Sequence, residues 1–161
     1  MEPRIDPRKV APGALKAMFG LHQYLHSSGL ERKLLLLLEF RVSQINGCAY
    51  CLDMHSKDLR AAGETEQRLY LLDAWRESPF YTDRERAALE WAEAVTLVAD
   101  THVPDEVYEV ARSQFTDEEL VNLTLAVVAI NGWNRLSISL RAVPGSYQPQ
   151  QYQEFAKQMA A

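Results

Sequence analysis

Five consecutive leucines, Leu34 to Leu38, lie inside a segment from Leu30 to Ile45 that is apolar on most of its sides when wound as a helix. A helix that is hydrophobic all round has no surface face, so it must be buried in a core or at a subunit contact. The run is also far shorter than the ~20 residues that span a bilayer, and it continues into Glu39 and Arg41. The chain must therefore supply other helices to cover it.

The remaining sequence reads that way. Pro12 opens a helix through Ala14, Met18, Leu21 and Leu25 that Ser27-Ser28-Gly29 ends. After the leucine-rich segment, Asn46-Gly47 supplies a stop, because both residues tolerate the left-handed conformation that closes helices. Further helices are expected over Cys48 to Ala62, Glu64 to Glu77, Arg84 to Asp100, and Asp105 to about Gln114. The last begins near Leu120, behind Thr116 and Glu119; Thr82 and Glu85 have the same capping-box spacing. Trp75, Trp91 and Trp133 fall at helical positions and read as core or interface anchors. No segment alternates as a strand would, so the expected fold is all-α, one domain over residues 1–161 with its core at about 12–146. The tail after Pro144 reads as irregular or as a short docked helix.

The sequence Val42 to Cys48 is echoed by Val127 to Trp133 through a shared Ile-Asn-Gly. Each copy follows an apolar helix, and the echo predicts a duplicated helical hairpin in which only the first copy carries thiols.

A net charge of −5 with no block of Lys or Arg argues against nucleic acid and against an anionic membrane surface as partners. The N-terminus is charged and broken by Pro3 and Pro7, unlike a secretory signal, so a cytoplasmic protein is expected. In that compartment structural disulfides are rare, and a cysteine pair is expected to be redox-active or metal-binding.

The pair is Cys48 and Cys51, the two cysteines of the chain, with His55 four residues further on. On a helix, positions i, i+3 and i+4 share a face, so two thiols and an imidazole would meet. A helix start lowers a thiol pKa, which favours Cys48 as the attacking sulfur. His55 at i+4 favours Cys51 instead, with Cys48 then resolving. Thiolate, proton carrier and second thiol are what peroxide reduction requires. The competing reading is a structural zinc site in which His22 or His26 completes Cys48, Cys51 and His55. His22 and His26 have i,i+4 spacing but no adjacent glutamate, and they sit on a helix whose apolar face explains itself. Glu39 interrupts the leucine-rich helix and needs a partner if buried. Arg41 of a neighbouring chain or Arg135 is the first expectation, ahead of a proton relay to His55.

The segment Ser43 to His55, S-Q-I-N-G-C-A-Y-C-L-D-M-H, resembles the active-site segment of alkylhydroperoxidase D-like proteins of the carboxymuconolactone decarboxylase superfamily. Ala61 to Glu64, Trp75 to Glu77, Arg84 to Leu89 and Ile130 to Arg135 extend the similarity over most of residues 12–146. The resemblance implies an all-helical fold that assembles as a homotrimer or hexamer. It also implies thiol peroxidase activity, with Cys51 attacking peroxide, Cys48 as its disulfide partner and His55 relaying protons. Members that decarboxylate the muconolactone generally lack this cysteine pair. The family's relay glutamate, twelve residues before the first cysteine, falls on Leu36 here, and Glu39 lies one turn later near the same face.

The expectation is an enzyme that reduces hydroperoxides with an external dithiol reductant. No cofactor is expected, since nothing in the chain resembles a flavin or nicotinamide site. A redox-responsive scaffold using the same pair as a switch is the rival.

Overall fold

The computed structural model describes residues 2–149, and no strand occurs among them. After a single turn at Pro7–Val10 (α1), α2 runs Pro12–His26, α3 Arg32–Asn46 and α4 Ala49–Ala61. Then come α5 (Glu66–Leu71), a 3-10 turn (Leu72–Glu77), α6 (Asp83–Thr96), the short α7 (Val98–Thr101), α8 (Asp105–Gln114) and α9 (Asp117–Leu140).

α3 is the axis of the bundle. It packs against α4, α6 and α9, and nine of its fifteen residues are buried, from Leu34 through Phe40 plus Val42 and Ser43. The leucine run thus serves two cores. Leu34, Leu35 and Leu38 face Ala88, Ala92, Leu123 and Val127 of α6 and α9, whereas Leu36 and Leu37 face Leu59, Leu72, Trp75 and Leu89. Both capping boxes are formed, by Thr82 with Glu85 and by Thr116 with Glu119, so α6 and α9 start where their sequences specify.

The structure departs from expectation in three places. The helix expected over Glu64 to Glu77 tightens into a 3-10 turn after Leu71, with Ala74 out of helical geometry at φ −108°, ψ 31°. The tighter winding eclipses positions i and i+3. It turns Leu72 and Trp75 inward together, and the Trp75 indole N–H donates to Glu93 at 2.8 Å. The helix expected to reach Asp100 breaks at Leu97 and resumes as α7.

The third departure is the Ile-Asn-Gly echo. Gly47 is left-handed (φ 65°) and ends α3 in a Schellman arrangement, the Cys48 amide donating to the Ser43 carbonyl at 3.0 Å. Gly132 lies within α9, which continues unbroken to Leu140. There Asn131 donates back to the Val127 carbonyl at 3.0 Å, and Gly132 lets Met18 of α2 approach. The second copy is not a hairpin.

The stretch after Pro144 is irregular but anchored. The Gly145 amide donates to Asp53 at 2.9 Å, Lys57 donates to the Tyr147 carbonyl at 3.0 Å, and the Tyr147 hydroxyl donates to Asp58 at 2.8 Å. This strap holds buried Tyr147 against α4. The remainder of the tail, from Gln150, lies outside the described residues. Among the described residues no helix is long and apolar enough to cross a membrane.

Candidate functional site

Gly47 fixes the site's position, since its left-handed turn places Cys48 as the N-cap of α4 and Cys51 one turn in. The two thiols are free, each 1% exposed, with their sulfurs 2.7 Å apart and joined by a hydrogen bond. That hydrogen bond sets the electrostatics. The bond to Cys51 lowers the Cys48 pKa to about 7, with smaller help from the Cys51 amide, Ser137 and Asn134. The same bond, together with burial, pushes the Cys51 thiol up. The pair therefore holds one proton between two sulfurs, and in this arrangement the negative charge rests on Cys48.

The environment behind Cys48 is a buried polar network joining α3 to α9. Asn134, fully buried, donates to Ser43 Oγ at 3.1 Å and accepts from Asn46 Nδ2 at 2.8 Å; Asn46 also donates to Asn131 at 3.0 Å. Each polar group is satisfied, so the network clamps the two helices beside the thiols.

In front lies a cavity of about 550 Å³. Cys51 opens onto it and Cys48 does not; Phe19, Leu36, Met54, Ile130 and Trp133 give it apolar walls, and Arg8, Arg32 and Asp58 also line it. Ser137 on the same wall has its hydroxyl 3.8 Å from the Cys51 sulfur.

His55 faces this cavity and is 3% exposed, and neither ring nitrogen makes a hydrogen bond. Burial, with some help from His22, drives its pKa down to about 3, so the ring is neutral. Its nearest acidic neighbour is Glu39, whose Oε2 lies 3.5 Å from His55 Nδ1. Glu39 is 6% exposed, and burial lifts its pKa to about 8, with Asp58 adding to the rise. It is a neutral carboxylic acid at pH 7.

The arginine expected for Glu39 is not its partner within this chain. Two residues along a helix is a rotation of about 200°, so Arg41 points to the opposite side. There it donates to Glu93 at 2.7 Å and also meets Gln44 and Asp73. Arg135 donates to Asn131 on its own helix. Glu39 instead stands between histidines, with His22 Nδ1 3.7 Å from its Oε1. Leu36 lines the same cavity one turn away, as the i,i+3 spacing requires.

Cys48 and Cys51 thus meet at 2.7 Å, and Cys51 and His55 line the same cavity. Sequence reading missed the roles of His22 and His26, which line the cavity from α2, their Nε2 atoms 2.9 Å apart. Their i,i+4 spacing was the available signal; the glutamate that completes them comes from α3, not from their own helix. Among the described residues no group of three or more His, Cys, Asp or Glu is arranged to hold a metal ion, so the zinc alternative finds no four-ligand geometry here.

Comparison with known proteins places this architecture. The model of the carboxymuconolactone decarboxylase family matches residues 12–94. The uncharacterised protein YdfG of Bacillus subtilis (strain 168) is 44% identical over 140 residues, which span 87% of this chain and 95% of YdfG. A crystal structure of a protein of unknown function from Agrobacterium tumefaciens, provisionally named an antioxidant defence protein AhpD, is 46% identical with a TM-score of 0.87. The match covers 91% of this chain and 100% of that one. An uncharacterised peroxidase-related protein from Ralstonia eutropha JMP134, described as an alkylhydroperoxidase AhpD core, shares the fold at 22% identity and a TM-score of 0.76. That match covers 86% of this chain and 74% of that one. With more than half its length matched by the family model and a close relative covered almost end to end, the chain belongs to the carboxymuconolactone decarboxylase family, among its AhpD-like members.

Proposed function

We propose that the protein is a thiol peroxidase that reduces organic hydroperoxides through a Cys48–Cys51 disulfide cycle and is re-reduced by an external dithiol. The observation that carries this is the thiol pair itself, 2.7 Å apart and open to the cavity through Cys51, with His55 and a neutral Glu39 on the same wall.

The shared proton moves along the sulfur–sulfur hydrogen bond from Cys51 to Cys48, leaving the thiolate on the cavity side. Cys51 Sγ attacks the distal peroxide oxygen and the O–O bond breaks, giving a sulfenic acid and an alkoxide. His55 protonates the alkoxide and is itself resupplied by the Glu39 carboxyl. Cys48 then condenses with the sulfenic acid, its proton leaving in water, and the disulfide forms. The apolar walls around Cys51 suit an organic peroxide better than hydrogen peroxide. Assembly as a homotrimer or hexamer belongs to the same reading, and exposed Val121 and Val128 on α9 offer apolar surface for it.

Intact mass before and after titration with cumene hydroperoxide tests the reading directly. A loss of two hydrogens per chain, repeated turnover with dithiothreitol, and no turnover by Cys51→Ser are expected. One stoichiometric oxidation without turnover would instead make the pair a switch. A Cys51→Ser variant that retains full activity would remove the assignment.

A further inference from the structure

Glu39 can supply a proton once; for a second turnover the carboxyl must be reloaded. The reductant's attacking thiolate has already shed its proton to solvent, so the replacement has to come from solvent too. Glu39 and His55 are both buried on the inner wall, and the way out begins at α2.

Four side chains from three helices stand in series, each using a different atom on either side. His26 Nε2 is 2.9 Å from His22 Nε2. His22 Nδ1 is 3.7 Å from Glu39 Oε1, and Glu39 Oε2 is 3.5 Å from His55 Nδ1. That leaves His55 Nε2 for the reacting side. Exposure rises outward along the series, from 3% for His55 and 6% for Glu39 to 15% for the His22 side chain, and His26 is exposed. His22 is threaded through both ring nitrogens, the arrangement by which a neutral imidazole takes a proton on one side and gives one up on the other.

We propose that His22 and His26 form the outer limb of a proton path that reloads Glu39, and through it His55, from solvent. This rests on the peroxidase reading. The two longer gaps must shorten to about 2.9 Å for transfer, a contraction within the reach of side-chain torsions. Charged groups flank the path. Arg32 at the start of α3 lowers the pKa of both α2 histidines, as burial does more strongly, so both are neutral at pH 7. On Glu39, burial and then Asp58 of α4 help to keep the proton, against a smaller opposing effect of Arg32. Arg8 lines the same cavity from α1 but is paired with Asp6.

The test separates a first turnover from later ones. Reduced protein carrying His26→Gln, whose site is exposed and tolerant, is mixed with one equivalent of cumene hydroperoxide at pH 7. Oxidation should proceed at the wild-type rate, because Glu39 starts loaded. Under multiple turnover in weak buffer with saturating dithiothreitol, the same variant should be about tenfold slower. Millimolar imidazole should restore it, while leaving wild type unchanged. His22→Gln, which also removes a contact of Glu39, should slow multiple turnover at least as strongly. Glu39→Gln should instead be slow from the first turnover, and imidazole should restore it poorly. Wild-type turnover by His26→Gln in weak buffer overturns the path, as does a loss that imidazole cannot restore or one already present in the first turnover. If peroxide fails to oxidise the wild-type pair, the intact-mass experiment shows this first, and the peroxidase reading falls together with the path.

Discussion

Cys48 and Cys51 share a hydrogen bond across 2.7 Å, and Cys48, the sulfur whose pKa that bond lowers, is the one turned away from the cavity. The charge is stored behind the reacting atom and reaches it by a proton shift along an existing hydrogen bond. Thiolate absorbance should therefore titrate near pH 7 in the reduced wild type. In Cys51→Ala the partner thiol is gone, and the Cys48 titration should rise towards the ordinary thiol value of about 8.5. In Cys48→Ala, burial leaves Cys51 titrating above the ordinary range. An unchanged midpoint in Cys51→Ala would mean that the helix start, and not the partner thiol, stabilises the Cys48 anion.

Glu39 is placed to supply His55 as an acid, and Glu39→Gln keeps its size and neutrality while removing the transferable proton. Peroxide oxidation of the reduced variant should slow by about 10²-fold, with folding intact. Stopped-flow tryptophan fluorescence can follow the step, since Trp133 lines the cavity. Oxidation at the wild-type rate would reduce Glu39 to a packing residue.

Most of the scaffold was legible because each helix carries its own boundary signals. Thr82 and Thr116 cap the helices they were expected to cap, and Gly47 stops α3. The thiol pair and His55 were legible for the same reason, since one helix of known period places all three. What failed needed tertiary information. The partner of Glu39 comes from α2 and α4, and no pattern within α3 reveals it. The second Ile-Asn-Gly looks like a helix stop, yet α2 packs across it and the helix runs on. The inward turn of Trp75 depends on Glu93, eighteen residues away.

The two echoed glycines make this difference measurable. Gly132 sits in a helix interior, where alanine is favoured by about 1 kcal/mol. The methyl group that alanine adds would meet Met18 Cε at 2.8 Å, but that atom ends a flexible side chain and can swing aside. Gly132→Ala should thus raise stability by up to about 1 kcal/mol. Gly47 has φ 65°, a left-handed conformation that a Cβ strains, so Gly47→Ala should cost roughly 1–2 kcal/mol. Urea denaturation of both variants should give shifts of opposite sign; a loss in both would mean that Met18 is held rigidly.

The buried acid and the two buried imidazoles should also shape stability against pH. Glu39 has its pKa raised from 4.5 to about 8, so the unfolded chain ionises there while the folded chain keeps the proton. Its stabilisation is complete below pH 4.5 and is lost as pH rises to about 8. His22 and His55 have theirs lowered from 6.5 to about 4 and about 3. Below pH 6.5 the unfolded chain takes up protons that the folded chain refuses, so stability falls as pH drops. Between 4.5 and 6.5 two histidines oppose one carboxyl, and the balance still favours higher pH; above 6.5 Glu39 lowers stability until Cys48, its pKa lowered from 9.0 to about 7, offsets it. These three groups together set a maximum near pH 6.5. Thermal melts from about pH 5 to about pH 9 in a Cys48→Ser background, which removes the opposing thiol, should trace it. Glu39→Gln should flatten the alkaline limb and leave the acid limb in place, while His22→Gln should soften the acid limb alone. An alkaline limb that survives in Glu39→Gln would show that Glu39 is already ionised in the folded protein, and with that the neutral acid required for alkoxide protonation would be gone.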